Sequence, residues 1–136
     1  MMDNHFQSCI PIQKEWDIVA ARQQGRDFSK QIGFGAVDQA RIATAISELA
    51  RNIYLYAQKG AICFEYIEDM EHKGIKIIAS DEGPGISDIS RVMEDGYTTS
   101  GGLGAGLPGI KRLMDHFDIY SEEGKGTEVT IQKWLR

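Results

Sequence analysis

Little in this chain marks it as exported, membrane-bound or built around a metal. Residues 1–14 carry no basic start followed by an apolar run, so no signal peptide is expected. No apolar stretch approaches the roughly 20 residues that a membrane helix needs, so no membrane partner is expected either. Cysteine is scarce. Cys9 and Cys63 fit no metal or redox spacing, and both are expected to stay reduced in a cytoplasmic protein. Positive charge is short as well: 15 Lys and Arg stand against 20 Asp and Glu, a net charge of −5. That balance argues against nucleic acid as the main partner. Internal repeats, low-complexity tracts and linkers are missing. The 136 residues, 42% apolar and 26% charged, suit one soluble globular domain spanning 1–136.

What the chain does have is glycine, concentrated in one place. Gly101-Gly102-Leu103-Gly104-Ala105-Gly106-Leu107-Pro108-Gly109 holds five glycines in nine residues and runs into Ile110-Lys111-Arg112-Leu113-Met114. Residues without side chains let successive backbone N–H groups close on an anion, and the following helix directs its positive dipole end to the same place. Pro108 suits the first turn of that helix, where its missing N–H costs nothing. A phosphate cradle is the first reading.

The familiar glycine motifs fail on context. Gly104 to Gly109 spells G-x-G-x-x-G, but a dinucleotide fingerprint follows directly on a strand within a βαβ unit. Here the glycines follow Tyr97-Thr98-Thr99-Ser100, a polar loop. A Walker loop would end in Gly-Lys-Ser/Thr, whereas Gly106 is followed by Leu107-Pro108. The His-Arg-Asp and Asp-Phe-Gly signatures of protein kinases are missing. A ligand-free hinge would explain such a loop on its own, so other segments have to decide.

The pattern predicts an edge strand at Cys9–Gln13 and a helix at Glu15–Gln31. The helical spacing of Trp16, Val19, Ala20, Gln23 and Asp27 is loose, and Gly33-Phe34-Gly35 closes the helix. A longer helix from Val37 to about Gln58 carries a clean apolar stripe of Ile42, Ile46, Leu49 and Ile53. Strands follow at Ala61–Glu68 and Gly74–Ser80, joined by a charged hairpin. A short helix is expected near Asp88–Glu94, then the glycine loop, a helix at Leu107–His116, and strands at Phe117–Glu122 and Thr127–Trp134. Antiparallel hairpins beside grouped helices predict an α+β fold with helices on one face of a mixed sheet.

Three further segments carry chemistry. Glu48 and Asn52 are i and i+4, so they project together, away from the apolar stripe. A carboxylate able to take a proton would stand beside an amide oxygen suited to a hard cation, although a solvated polar face also fits. Asp81-Glu82-Gly83-Pro84-Gly85 ends an apolar strand with an acceptor for a ligand amine, then turns closely through Gly83 and Gly85. Gly124-Lys125-Gly126-Thr127 would be a hairpin turn by itself.

Their order and spacing are more telling than any one of them. Glu48-x-x-x-Asn52, Asp81-x-Gly83-x-Gly85, the run ending Gly104-x-Gly106, and Gly124-x-Gly126-Thr127 resemble the N, G1, G2 and G3 boxes of the Bergerat-fold (GHKL) ATPases. Glu15-Trp16-Asp17-Ile18-Val19-Ala20-Ala21-Arg22, the run Ile46 to Tyr56, and Lys133-Trp134-Leu135-Arg136 look more closely like the small switch kinases of the bacterial stressosome. The resemblance implies a two-layer α/β sandwich holding ATP under a flexible lid. It implies Glu48 as general base and Asn52 as the ligand of Mg²⁺. Asp81 is implied as the acceptor of the adenine amine, with Gly83 and Gly85 letting the base approach. Gly102, Gly104 and Gly106 are implied as lid amides on the phosphates, with Thr127 near the adenine; Glu82 has no assigned role.

The function so implied is serine/threonine phosphorylation of STAS-domain scaffold or antagonist proteins. The released kinase would then bind and activate a PP2C-type phosphatase. Phosphoryl transfer asks chiefly for positioning and charge neutralisation, which backbone amides, a helix N-terminus and Mg²⁺ can supply. His5, His72 and His116 lie in no phosphoacceptor motif, which disfavours a histidine kinase. An anti-sigma factor on the same ATP-binding fold is the alternative, and a partner-binding module without catalysis is the third. Arg22 and Arg26 on the first helix are candidate partner contacts, or simply a solvated face.

Overall fold

A computed structural model describes residues 7–86, 93 and 106–136. The chain begins with strand β1 (Gln7–Ile12), followed by helices α1 (Glu15–Ile32) and α2 (Ala36–Asn52) and a π-helical turn at Ile53–Ala57. Strands β2 (Gly60–Glu68) and β3 (Lys73–Asp81) come next, then helix α3 (Gly106–Leu113) and strands β4 (His116–Glu122) and β5 (Gly126–Trp134). The sheet order is β1-β2-β3-β5-β4. Every pairing is antiparallel, so the sheet is not mixed as expected. Each of its neighbours is either a hairpin partner or reached by a crossover that reverses direction.

Alternation decides which face of the sheet is covered. Ile62 and Phe64 of β2, Ile75 and Ile77 of β3, and Ile131 of β5 are fully buried against the helices. The α2 stripe Ile42, Ile46, Leu49 and Ile53 is buried with them, as its spacing predicts. The α1 face is different from the one expected. Trp16 is 71% and Val19 54% exposed, while Ala21, Gly25, Phe28, Ser29 and Ile32 face inward. Small residues win here because α1 lies close on its neighbours: a Cβ on Gly25 would overlap Ile46 and come within 3.0 Å of Phe64. The Asp17 carboxylate accepts the N–H groups of Gln13 and Lys14, at 2.9 and 2.8 Å, and fixes the start of α1. Those bonds hold its pKa below the usual carboxylate value.

Two boundaries moved and one expectation about the cysteines failed, each for a physical reason. The second helix was expected to run to about Gln58, but after Asn52 it widens into the π-helical turn. Gln58 then closes it at φ 69°, with its N–H on the Ile53 carbonyl at 2.8 Å. The last helix stops at Leu113 rather than His116. The Asp115 N–H bonds to the Gln132 carbonyl and the Asp115 carboxylate accepts the Trp134 N–H, which pulls the chain into β4. Finally, Cys9 and Cys63 do not stay as thiols: the β1–β2 register sets them opposite each other and they form a disulfide. The helix expected near Asp88–Glu94 and most of the glycine run, with Gly102 and Gly104, lie outside the described residues.

Candidate functional site

The ends of α2, β3 and β5 build the candidate site. Asp81 is the last residue of β3, between Gly60 of β2 and Thr127 of β5. Its Oδ1 accepts the Gly83 N–H at 2.9 Å, which forms the turn. Among the described residues nothing bonds Oδ2, which remains available to a ligand amine. The turn is packed on three sides. A Cβ on Gly83 would lie 2.6 Å from that of Ala57 in the π-helical turn. Gly85, at φ 79°, runs beside the backbone of Glu122 and Glu123, and Pro84 accepts the Gly124 N–H at 2.8 Å. Gly126, at φ 122°, passes against the Asp81 carbonyl so closely that no side chain fits.

Ser121 on β4 ties these pieces together and was not among the expected residues. Its hydroxyl accepts the Ile86 N–H at 2.7 Å and lies 2.8 Å from the Thr127 hydroxyl and 3.0 Å from the Gly126 carbonyl. Only the β4–β5 register, which sets Ser121 opposite Thr127, identifies it. No sequence motif could have done so. The structure therefore brings Asp81, Gly83, Gly85 and Thr127 into one cluster.

Asn52 and Glu48 approach from α2. Asn52 is half-buried at the junction with the π-helical turn. Gly60 packs between the next residue, Ile53, and Asp81, so the end of α2 lies beside the Asp81 turn. Glu48, one helical turn earlier, is only 8% exposed. It lines a cavity of about 700 Å³ bounded by α1, α2 and α3, which also takes in Gly106 at the start of α3. Gly106 has φ 68° and is buried, and Leu107 and Pro108 are buried after it.

The donor set fits a nucleotide better than a metal held by protein alone. An unbonded carboxylate oxygen, side-chain-free backbone at three glycines and the start of a helix suit a base at one end and phosphate at the other. Among the described residues no three His, Cys, Asp or Glu side chains cluster to hold a cation. A hard cation here would rest on phosphate oxygens with the Asn52 amide.

Residues 37–136 match the family described as histidine kinase-, DNA gyrase B- and HSP90-like ATPases. The chain belongs to that family. It is 68% identical to the serine/threonine-protein kinase RsbT of Bacillus subtilis over 130 residues, covering 96% of this chain and 98% of that one. An anti-sigma F factor of Clostridium acetobutylicum is 37% identical over 100 residues, 68% of this chain and 67% of its own. Among solved structures, the RsbU and RsbW domains of Rv1364c from Mycobacterium tuberculosis share the fold with a TM-score of 0.65 at 17% identity. That likeness covers 95% of this chain and 33% of that one. Within the ATPase family, the chain is a serine/threonine-protein kinase of the RsbT type. No helix among the described residues is long and apolar enough to cross a membrane.

Proposed function

We propose that this kinase phosphorylates a serine or threonine of a STAS-domain stressosome protein and, once released, activates a PP2C-type phosphatase, working in the cytoplasm as one ATPase domain over residues 1–136. The observation that carries the reading is Glu48: a mostly buried carboxylate on a cavity wall, one helical turn before Asn52. As general base, Glu48 would take the acceptor hydroxyl proton as that oxygen bonds to the terminal phosphorus of ATP, while the bond from that phosphorus to the bridging oxygen breaks and ADP leaves. ATP with Mg²⁺ supplies the phosphoryl group. Asn52 holds the cation, and the amides at Gly102, Gly104 and Gly106 neutralise phosphate charge. Asp81 orients the adenine through its amine, Gly83 and Gly85 give the base room, and Thr127 flanks it.

The test incubates the protein with Mg·ATP and a purified STAS-domain protein, beside Glu48→Ala and Asn52→Ala. Wild type should yield a phosphorylated residue, and either variant less than about 1% of its rate, within the range by which general bases contribute. Equal transfer by Glu48→Ala would remove Glu48 from the base role. The 37% identity to an anti-sigma F factor favours a second reading, sequestration of a sigma subunit. Stable capture of purified sigma subunit, without transfer to the STAS protein, would establish that reading instead.

A further inference from the structure

The cavity beside Glu48 shares no lining residue with the Asp81 cluster, and among the described residues it meets the set assigned to the phosphates at Gly106. Asn52, Asp81, Gly83, Gly85 and Thr127 do not line it; of the candidate residues among those described, Glu48 and Gly106 do. Its rim is cationic although the chain is acidic. Arg22 and Arg26, one turn apart on α1, face Arg51 on α2 across the cavity, all three exposed. Among the described residues none forms an ion pair with them. The cavity shares Ala40, Thr44 and Leu113 with a neighbouring apolar hollow of about 430 Å³, where Val37 is 65% exposed. The two form one trough, with a carboxylate and three guanidinium groups at one end and an uncovered aliphatic patch at the other.

Resting on the kinase reading above, we infer that this trough binds the acceptor segment of the protein substrate. It selects an acidic residue close to the target hydroxyl and an apolar side chain further along. A base that takes the acceptor proton must touch the acceptor, and this is a space that Glu48 lines and the Asp81 cluster does not. Guanidinium groups pair bidentately with carboxylates, and the same geometry grips the phosphorylated product. Rim charges of one sign also steer an acidic partner into place.

The experiment measures the KM for a purified STAS-domain protein and, separately, the Kd for a fluorescent ATP analogue. It uses wild type, Arg26→Glu, Arg51→Glu and Val37→Asp, each checked for a wild-type unfolding midpoint. The partner KM should rise at least tenfold in each variant, with the nucleotide Kd within twofold of wild type. Reversing an acidic residue beside the acceptor to Arg should restore transfer by Arg26→Glu. An unchanged partner KM would overturn the inference. So would a tenfold loss of nucleotide affinity, which would place the arginines on the triphosphate. Wild type that transfers nothing would instead defeat the kinase reading, and the acceptor trough with it.

Discussion

Replacing Gly126 by alanine should weaken the fold and the Asp81 end of the site together, and Gly124 in the same turn supplies the control. Both have positive φ, +122° and +82°, so an alanine is strained at either place. Their surroundings differ. Nothing lies within 4 Å of a Cβ on Gly124. On Gly126 it would overlap the Asp81 carbonyl oxygen and lie 2.9 Å from the Glu82 Cα and 3.0 Å from the Asp81 carbonyl carbon. Those are backbone atoms at the end of the β3–β5 ladder, with no rotamer to give way. Gly124→Ala should therefore cost only left-handed strain, about 1–2 kcal/mol. Gly126→Ala adds an overpacking cost of about 1–3 kcal/mol to strain of similar size, about 2–6 kcal/mol together. Urea unfolding midpoints at constant m-value measure the difference. Adenine-nucleotide affinity should fall for Gly126→Ala and hold for Gly124→Ala. Equal midpoints for the two variants would refute the close-approach argument.

Three other outcomes follow from the packing. Reducing the Cys9–Cys63 disulfide, whose cysteines are 54 residues apart, should lower the unfolding free energy by about 4 kcal/mol in the chain-entropy account; a thiol titration run beside the denaturation checks it, and an unchanged midpoint on full reduction counts against it. Lys133 is 8% exposed and donates from Nζ to the Leu113 carbonyl at 3.1 Å, near the end of α3. Lys133→Met keeps most of the volume but leaves that carbonyl without its donor, so urea denaturation should show a loss of about 1–2 kcal/mol. Asp17 has a depressed pKa, caused first by the Gln13 N–H and then by that of Lys14, so its stabilisation is complete above the ordinary value of 3.8 and is lost as pH falls through the lower folded value. Asp17→Asn should flatten that part of the acid-unfolding curve; an identical curve would remove Asp17 from it.

Local pattern carried much of this protein. The stripe Ile42, Ile46, Leu49 and Ile53 has one periodicity and one way to face a core, so the second helix and its buried side were readable before any contact was known. The strand ending at Asp81 and the turn through Gly83 and Gly85 were readable too, because a carboxylate followed by two glycines has a local conformational meaning. That Glu48 and Asn52 project together followed from helical spacing; their roles came from the resemblance to the ATPase family. Register and close approach were beyond it. Which strand lies opposite which decides that Cys9 meets Cys63 and that Ser121 meets Thr127, and neither pairing leaves a trace in linear spacing. The buried side of α1 turned on Gly25, Ser29 and Ala21, residues with too little apolar surface to signal a core but small enough to let the helix come close. Arg22 and Arg26 lie far from Arg51 in sequence and share a cavity with it because α1 packs beside α2. Periodicity and turn chemistry, which act between near neighbours, were determined by the sequence itself. The joining of distant segments into a site was decided by tertiary packing, where burial and backbone geometry select one register from many.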